Sequence, residues 1–577
     1  MNNESEKKEA SSKASQEIIL TEKGLYLSNQ QITSPIQLLY LSRNEDSKNW
    51  SKVFLVVDPD DKKHEVFISN EDLMREPIGA LANLVKNGFK IFNSSNRNQI
   101  ISFLNRWDSH DRRVTINRTG WYQDSFVTTD EVFGPKKNEI LFDSTLPTNY
   151  KLETKGSLEK WKEDVAAYTK GNPKLIASLC LSISGPFLSI FNQSNFGLHL
   201  FGPSSCGKTL AAGIAASVWS RANGSGSFIQ TWRNTANALE GIAFAHNHMI
   251  LILDELGELE PSDLGKSIYL LGNGMGKGRS NQIGEAQSRK FFQTVFLSTG
   301  EETIESILSK THVRVHAGQE IRFIEIDSDS HNGLGIFNCT HQFVSSKQLA
   351  DKIFSGIKNE YGSAGEELLK RIVERVPIEK QSWLLEFETT KNKFKNAFCE
   401  NANSQVNRVA DSFSFLVTCG EIASRLKVLP YTKDECFQSL GECFKIWLNY
   451  TDRSNLGDDS RLLKNVRIFF EKYGVSRFGR IGNQNNESAA FPPQIEDEKT
   501  QAWQQAGYRG DYHGQPCWFV FPEVFKSEIL QGFDTKRGRT ILQKNGFLIP
   551  SSESTYHTKK FGTKSRKVYI VKETILE

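Results

Sequence analysis

The distribution of hydrophobic positions changes character at about residue 157. Before it, residues 17 to 150 carry short β-like runs, among them Val53 to Val57, Glu65 to Ile68 and Arg113 to Ile116. A helix-like stretch, Ile78 to Gly88, lies among them, with Gly88 placed to end it. This predicts a β-rich mixed N-terminal domain. From Ser157, helical spacing runs through Trp161, Val165 and Tyr168, and again from Ile176 to Ser184. Apolar strands then alternate with helical segments: Gly197 to Phe201, Phe228 to Trp232, Met249 to Leu253, Thr294 to Thr299 and Ile321 to Ile326. Helices are expected from Lys208 to about Arg221 and from Ala236 to Ala245. Nearly continuous apolar strands separated by helices predict an α/β core over residues 157–345, with a parallel sheet covered on both faces. Residues 346–455 read as helical. Residues 460–577 form a further unit: a helix from Arg461 to Tyr473, a Gly-, Asn- and Pro-rich loop from Gly479 to Pro493, then helices and strands.

Composition narrows the class without naming it. The chain has 577 residues, enough for about three or four domains. Its net charge of +3, with 38% hydrophobic and 24% charged residues, is ordinary, so any basic surface must be local. Residues 1–16 are polar, read as a disordered tail and not a secretory signal. Ile176 to Phe191 is too short and interrupted to span a bilayer, which takes about 20 apolar residues. The eight cysteines form no C-x-x-C pair and no zinc spacing, as expected of reduced thiols in a cytoplasmic protein with no membrane partner.

The chemistry starts at the first core strand. Gly202, Pro203, Ser204, Ser205, Cys206, Gly207, Lys208 and Thr209 fit G-x-x-x-x-G-K-[ST], with a strand before and a helix, opening through Leu210, after. Glycines let backbone N–H groups wrap a phosphate, and the helix N-terminus adds positive partial charge. Lys208 would reach the β- and γ-phosphates of ATP, and the Thr209 hydroxyl would ligate Mg²⁺. About 45 residues on, an apolar strand ends in Asp254 and Glu255. Asp254 is placed to hold Mg²⁺ through water and Glu255 to activate the attacking water. An acid that activates water favours hydrolysis over phosphoryl transfer to a substrate, which argues against a metabolite kinase. Ser298 and Thr299 end the next strand, where hydroxyls would sit beside the γ-phosphate; the plain alternative is an ordinary strand end.

Arginines and lysines supply the remaining candidates. Arg322 or Arg314 would serve as a finger on a neighbouring subunit's nucleotide, or pair with surface carboxylates. Arg408, at the start of a helix after the core, stands where a lid arginine would, or on a plain surface helix. Lys277 and Arg279 lie in a glycine-rich stretch expected to lead into a hairpin turning near Gly284. They would contact single-stranded DNA in a channel, or lie on a solvated loop. Near the C-terminus, helices from Pro522 to Gln531 and from Thr535 to Asn545 precede a strand, a basic loop (Lys559, Lys560, Lys564, Arg566, Lys567) and a second strand. That order is a winged-helix pattern, with Lys536, Arg537 and Arg539 offered to duplex DNA; a protein-binding winged helix is the alternative.

The ordered segments GPSSCGKT, TWRNTANALEGIA, LILDELGE, YLLGNGMGKGR, FLSTGE and AGQEIRFIEI resemble the "domain of unknown function" family numbered 927, over about residues 20 to 480. Members occur in phages, plasmids and genomic islands, and some on staphylococcal cassettes are replicative helicases similar to MCM ring helicases. The resemblance implies an AAA+ core, a homo-hexamer and movement on single-stranded DNA. It also assigns the roles above to Lys208, Thr209, Asp254, Glu255, Thr299, Arg322 and Arg408. The expectation is an ATP-dependent DNA helicase of a mobile element, or else an AAA+ switch that binds DNA without unwinding it.

Overall fold

Strands with no polar side to leave in water belong in the middle of a sheet. Phe196–Phe201 and Val295–Gly300 are buried along their whole length, and they pair with each other. A computed structural model describes residues 17–142, 150–280, 286–287, 289–309, 321–400, 402–432, 434–450, 458–481, 505–531, 533–551, 556–561 and 564–576. In it the core sheet runs Ile229–Thr231, Ile250–Asp254, Val295–Gly300, Phe196–Phe201, Phe323–Asp327, and every pairing is parallel. The strand that carries Thr299 therefore lies between the strand that feeds the glycine loop and the strand that ends in Asp254. The helices Pro173–Ser184, buried throughout, and Lys208–Ser217 pack on the sheet, and Pro261–Asn273 packs against Phe196–Phe201. The parallel sheet and the helix Ala236–Ala245 agree with the pattern of the sequence.

The N-terminal segment builds a mixed five-stranded sheet, ordered Ile140–Phe142, Arg112–Ile116, Ile36–Arg43, Ser51–Val57, Lys63–Ser69. Its core packs Phe54, Val56 and Ile68 against Leu81 and Leu84 of the helix Pro77–Lys86 and against Ile100 and Leu104 of the helix Arg97–Arg106. Buried Lys52 reaches the end of that second helix, donating to the carbonyls of Leu104 (2.9 Å), Asn105 (2.7 Å) and Trp107 (2.5 Å). A cation there satisfies carbonyls that the helix leaves over.

Contacts divide the chain into two compact units. One comprises Met1–Ile307, Gly318–Lys393 and Ser412–Cys443; the other comprises Leu308–Ala317, Phe394–Asp411 and Phe444–Glu577. Between the core sheet and the C-terminal region the chain is helical, as expected: Ser346–Asn359, Ser363–Phe398, Ser404–Arg425 and Glu435–Tyr450. In the second unit Asp458–Tyr473 and Thr535–Lys544 pack on a sheet through Leu462, Phe470, Trp518, Leu542 and Tyr569. That sheet runs Phe478–Arg480, Gly507–Tyr512, Gln515–Val520, Lys564–Lys572, Leu548–Ile549, with His557–Phe561 also paired to Lys564–Lys572. The expected basic loop is instead a paired ribbon: Lys559 lies opposite Arg566 and Lys560 opposite Ser565. In the longer strand the basic run Lys564 to Lys567 is exposed and Val568 to Val571 is buried, so the basic end of the ribbon stands in solvent. Among the described residues no helix is long and apolar enough to cross a membrane.

Candidate functional site

The carboxyl end of Phe196–Phe201 runs into the glycine loop. Gly202 (φ +145°) and Gly207 (φ +110°) hold backbone that side-chained residues rarely adopt. A Cβ would come within 2.6 Å of Ser328 Oγ at the first and 2.5 Å of Ile336 Cγ2 at the second. Pro203, Ser204, Ser205 and Thr209 are exposed at the mouth, while Cys206, Lys208 and Leu210 are buried. Lys208 Nζ donates to the carbonyls of Gly202 and Pro203, each at 2.7 Å, so the ammonium is held inside its own loop. The segment after the fifth strand braces the loop from below. Ser328 donates to Phe201 O at 2.7 Å, which leaves the Cys206 thiol to donate to Ser328 Oγ at 2.9 Å. Ile336 N–H donates to the Cys206 carbonyl at 2.7 Å. Cys206 is thus a packed, hydrogen-bonded residue of the loop, without the exposure that a reactive thiol needs. The brace at Ser328 and Ile336 was missed from the sequence, where DSDSHNGLGIF reads as an unremarkable turn-rich stretch.

Asp254 and Glu255 stand half-buried at the carboxyl end of Ile250–Asp254, one strand removed from the loop strand. Between them and the loop strand sits Thr299. Its hydroxyl donates to Asp254 Oδ1 and accepts from the Glu255 N–H at 3.1 Å. Glu255 adopts a left-handed backbone (φ +57°) that turns the chain out of the sheet, and its Oε1 accepts from Gly257 N–H at 3.3 Å. One hydroxyl therefore ties both acids to the sheet edge from which the glycine loop springs. Among the described residues no group of three or more His, Cys, Asp or Glu is placed to hold a metal ion. Mg²⁺ does not require one, because one or two protein oxygens with phosphate and water complete its shell. The exposed Thr209 hydroxyl and the Asp254 carboxylate are hard oxygen donors of that kind.

Ser298 does not accompany Thr299. Adjacent strand residues face opposite ways, so Ser298 points into the sheet's other face, next to its register partner His199. There a directed chain forms. Trp232 Nε1–H donates to Ser298 Oγ (2.9 Å), Ser298 lies 2.9 Å from His199 Nδ1, and His199 Nε2 lies 3.0 Å from the Glu302 carbonyl. A carbonyl can only accept, so Nε2 carries the proton and Nδ1 accepts from Ser298. Burial, reinforced by the charge of Lys208, pushes the His199 pKa down to about 4 and keeps the ring neutral.

The basic candidates separate. Arg322 precedes the strand Phe323–Asp327, and its carbonyl accepts from Gly197 N–H at 2.8 Å, at the amino edge of the sheet. The glycine loop is at the carboxyl edge, so this chain's Arg322 and Lys208 are not brought together. Arg314 lies outside the described residues. Arg408 is exposed near the start of Ser404–Arg425 and belongs to the other compact unit. Lys277 is exposed, with its N–H donating to Glu240 Oε2 at 3.1 Å. Arg279 and Ser280 pair antiparallel with Gln287 and Ala286, as a hairpin requires; Gly284, where its turn is expected, lies outside the described residues. On Thr535–Lys544, Lys536 and Arg537 are exposed. Arg539 is half-buried, with its guanidinium 5.9 Å from the Tyr569 ring.

The molecule is a mixed α/β protein whose glycine loop and paired acids share the carboxyl edge of a parallel sheet. Residues 14–291 match the family profile "Domain of unknown function (DUF927)", which bears out the family read from the motifs over those residues. No curated protein matches the chain. The solved structure "SCCmec type IV Cch - active helicase" covers 97% of this chain and 98% of its own, with a TM-score of 0.70 and 19% identity. At that identity the likeness establishes a shared fold, and it extends past the point where the family profile stops. NtrX from Brucella abortus in complex with ATP overlaps 42% of this chain and 65% of its own at 15% identity, but a TM-score of 0.19 gives that overlap no structural weight.

Proposed function

We propose that this chain is an AAA+ ATPase that moves on DNA, a helicase or translocase serving replication of a mobile element. The observation that carries the proposal is the Thr299 hydroxyl joined to both Asp254 and Glu255 beside the loop of Lys208. In this reading Gly202 through Leu210 cradle the phosphates of ATP and Lys208 leaves its loop carbonyls for the β- and γ-phosphates. Mg²⁺, held by Thr209 and Asp254, would neutralise phosphate charge as it develops. Glu255 orients and deprotonates the attacking water, and Thr299 fixes the Asp254 carboxylate and the Glu255 backbone at the same edge.

Arg322 acts on a neighbour's nucleotide in a homo-hexamer, since it stands at the opposite edge of its own sheet. Arg314 is the alternative finger, and Arg408 is assigned to the lid. Lys277 and Arg279 line the channel for single-stranded DNA. The basic helix Thr535–Lys544 and the ribbon His557–Lys572 form a winged helix for duplex DNA. The whole-chain likeness to a structure titled an active helicase supports this reading.

The test is ATP hydrolysis with and without single-stranded DNA, run beside strand displacement on a forked duplex. Stimulated hydrolysis with displacement is expected. Stimulated hydrolysis without displacement would assign the chain to a DNA-bound switch instead.

A further inference from the structure

A cavity of about 470 Å³ opens at the amino edge of the core sheet, away from the glycine loop. Arg118, Asn195, Asn247, His248, Asn273 and Arg322 line it beside Phe291 and Phe292, so its lining includes two arginines and no Asp or Glu. His248 adds no charge at neutral pH, because burial, with Arg118 adding to it, lowers its pKa to about 4. Two guanidiniums facing polar amides make a site for a phosphate, which takes paired N–H donors from a planar fork.

Both arginines are held in place. Arg322 is anchored through its backbone to Gly197 and through Nη1 to Asn273 Oδ1. Gly272 leaves room for its stem, since a Cβ there would come within 2.9 Å of Arg322 Cδ. Arg118 comes from the N-terminal segment, which is clamped to the core immediately after it. Thr119 Oγ1 lies within hydrogen-bonding distance of the carbonyls of Ala245 (2.9 Å) and Asn247 (2.7 Å), and Asn247 Nδ2 donates back to Thr119 O at 2.7 Å. Trp121 donates from its N–H to His248 Nδ1 (3.1 Å) and from Nε1 to Pro186 O (2.8 Å). Gly120 (φ +107°) lies so close to the core that a Cβ would sit 2.5 Å from His248 Nδ1. The partner of Arg118, Glu45, is itself partly exposed, with contacts of 2.9 and 3.2 Å, and an exposed pair of this kind yields readily to a phosphate.

We infer that Arg118 is a second trans-acting arginine, which with Arg322 grips the terminal phosphate of a nucleotide bound in the glycine loop of an adjacent copy of this chain. The inference rests on the ring-ATPase reading and adds to it a catalytic contribution from the N-terminal segment. A chain cannot serve its own nucleotide this way. Strands of five or six residues at about 3.3 Å each separate the two sheet edges by roughly 17–20 Å.

Co-expressed variants test it. Lys208→Ala lacks a working loop, and Arg118→Ala lacks only the second cation. Each alone should hydrolyse ATP at least about tenfold more slowly than the wild-type chain. Mixed assemblies should recover about a quarter of wild-type hydrolysis, because random mixing pairs an intact loop with an intact Arg118 at about one interface in four. Arg118→Lys keeps the charge and the Glu45 pair but loses the fork. It should be slow alone, recover on mixing, and melt as the wild-type chain does.

Wild-type hydrolysis by both Arg118 variants would overturn the inference. So would slow variants with no recovery on mixing while Arg322→Ala mixed with Lys208→Ala recovers; the trans-acting Arg322 would then stand and Arg118 would not. Failure of both mixtures would remove the trans reading of both arginines. Weakened single-stranded DNA binding with unchanged DNA-free hydrolysis would assign the cavity to nucleic-acid phosphates, and that too would overturn the inference.

Discussion

The Thr299 hydroxyl donates to the Asp254 carboxylate across two adjacent parallel strands, and it takes the Glu255 N–H in return. Removing it leaves the fold's apolar contacts intact but releases the Asp254 carboxylate and the Glu255 backbone N–H. Thr299→Val should bind ATP within about twofold of wild type and hydrolyse it about 10- to 100-fold more slowly; Thr299→Ser should stay near wild type. Equilibrium nucleotide binding beside steady-state hydrolysis checks this. A valine variant with wild-type turnover would remove Thr299 from the mechanism.

Ser298 supports the same edge from the other face. Replacing it with Ala strips Trp232 Nε1–H and His199 Nδ1 of their shared partner inside the core. The expected cost is about 1–3 kcal/mol, read as a lower denaturation midpoint with nucleotide binding retained. Loss of hydrolysis without loss of stability would place Ser298 at the chemistry instead.

Acid should weaken the core. His199, His246 and His248 have pKa values lowered by burial from 6.5 to about 4. Between those values the unfolded chain binds more protons than the folded one. Stability from these rings is therefore full above pH 6.5 and falls as pH drops towards 4. Each histidine contributes a slope of up to about 1.4 kcal/mol per pH unit in that window. Melting between pH 7.5 and 5 should fall steeply, and less steeply in His248→Gln. A wild-type curve flat over that range would contradict the assignment.

The second glycine of the loop is closed to substitution twice over. Gly207→Ala meets Ile336 Cγ2 and also strains a backbone at φ +110°. It should cost about 1–3 kcal/mol and weaken nucleotide binding at least about tenfold, with Ile336→Ala restoring only part of the loss. Full restoration would mean that crowding alone, and not the backbone, excludes a side chain.

On the C-terminal basic helix the arginines should behave differently. Lys536→Ala with Arg537→Ala should weaken duplex DNA binding and reduce its salt dependence by about one ion per lost contact. Arg539→Ala should lower stability, since its guanidinium lies against Tyr569. Filter binding across salt concentrations and thermal melting separate the two effects.

Legibility followed chain distance. Gly202 to Thr209 is one contiguous loop, and Asp254 with Glu255 ends one apolar run, so both could be read from pattern alone. The parallel sheet followed from its buried strands for the same reason. The braces could not be read that way, because they join distant residues: Cys206 and Ser328 are 122 positions apart, and His199 and Ser298 are 99 apart. Ser298 departs from the expectation for the strand end because adjacent strand positions face opposite ways, which sets it beside His199 and away from Thr299. Arg118 carried no signal at all, since its meaning comes from Thr119 and Trp121 docking on a core more than a hundred residues downstream.

The most direct test of the central claim is strand displacement on a forked DNA duplex with ATP, comparing the wild-type chain with Glu255→Gln. The account predicts displacement by the wild-type chain, and an amide variant that binds ATP and DNA normally yet neither hydrolyses nor displaces. Displacement by Glu255→Gln at the wild-type rate would contradict it.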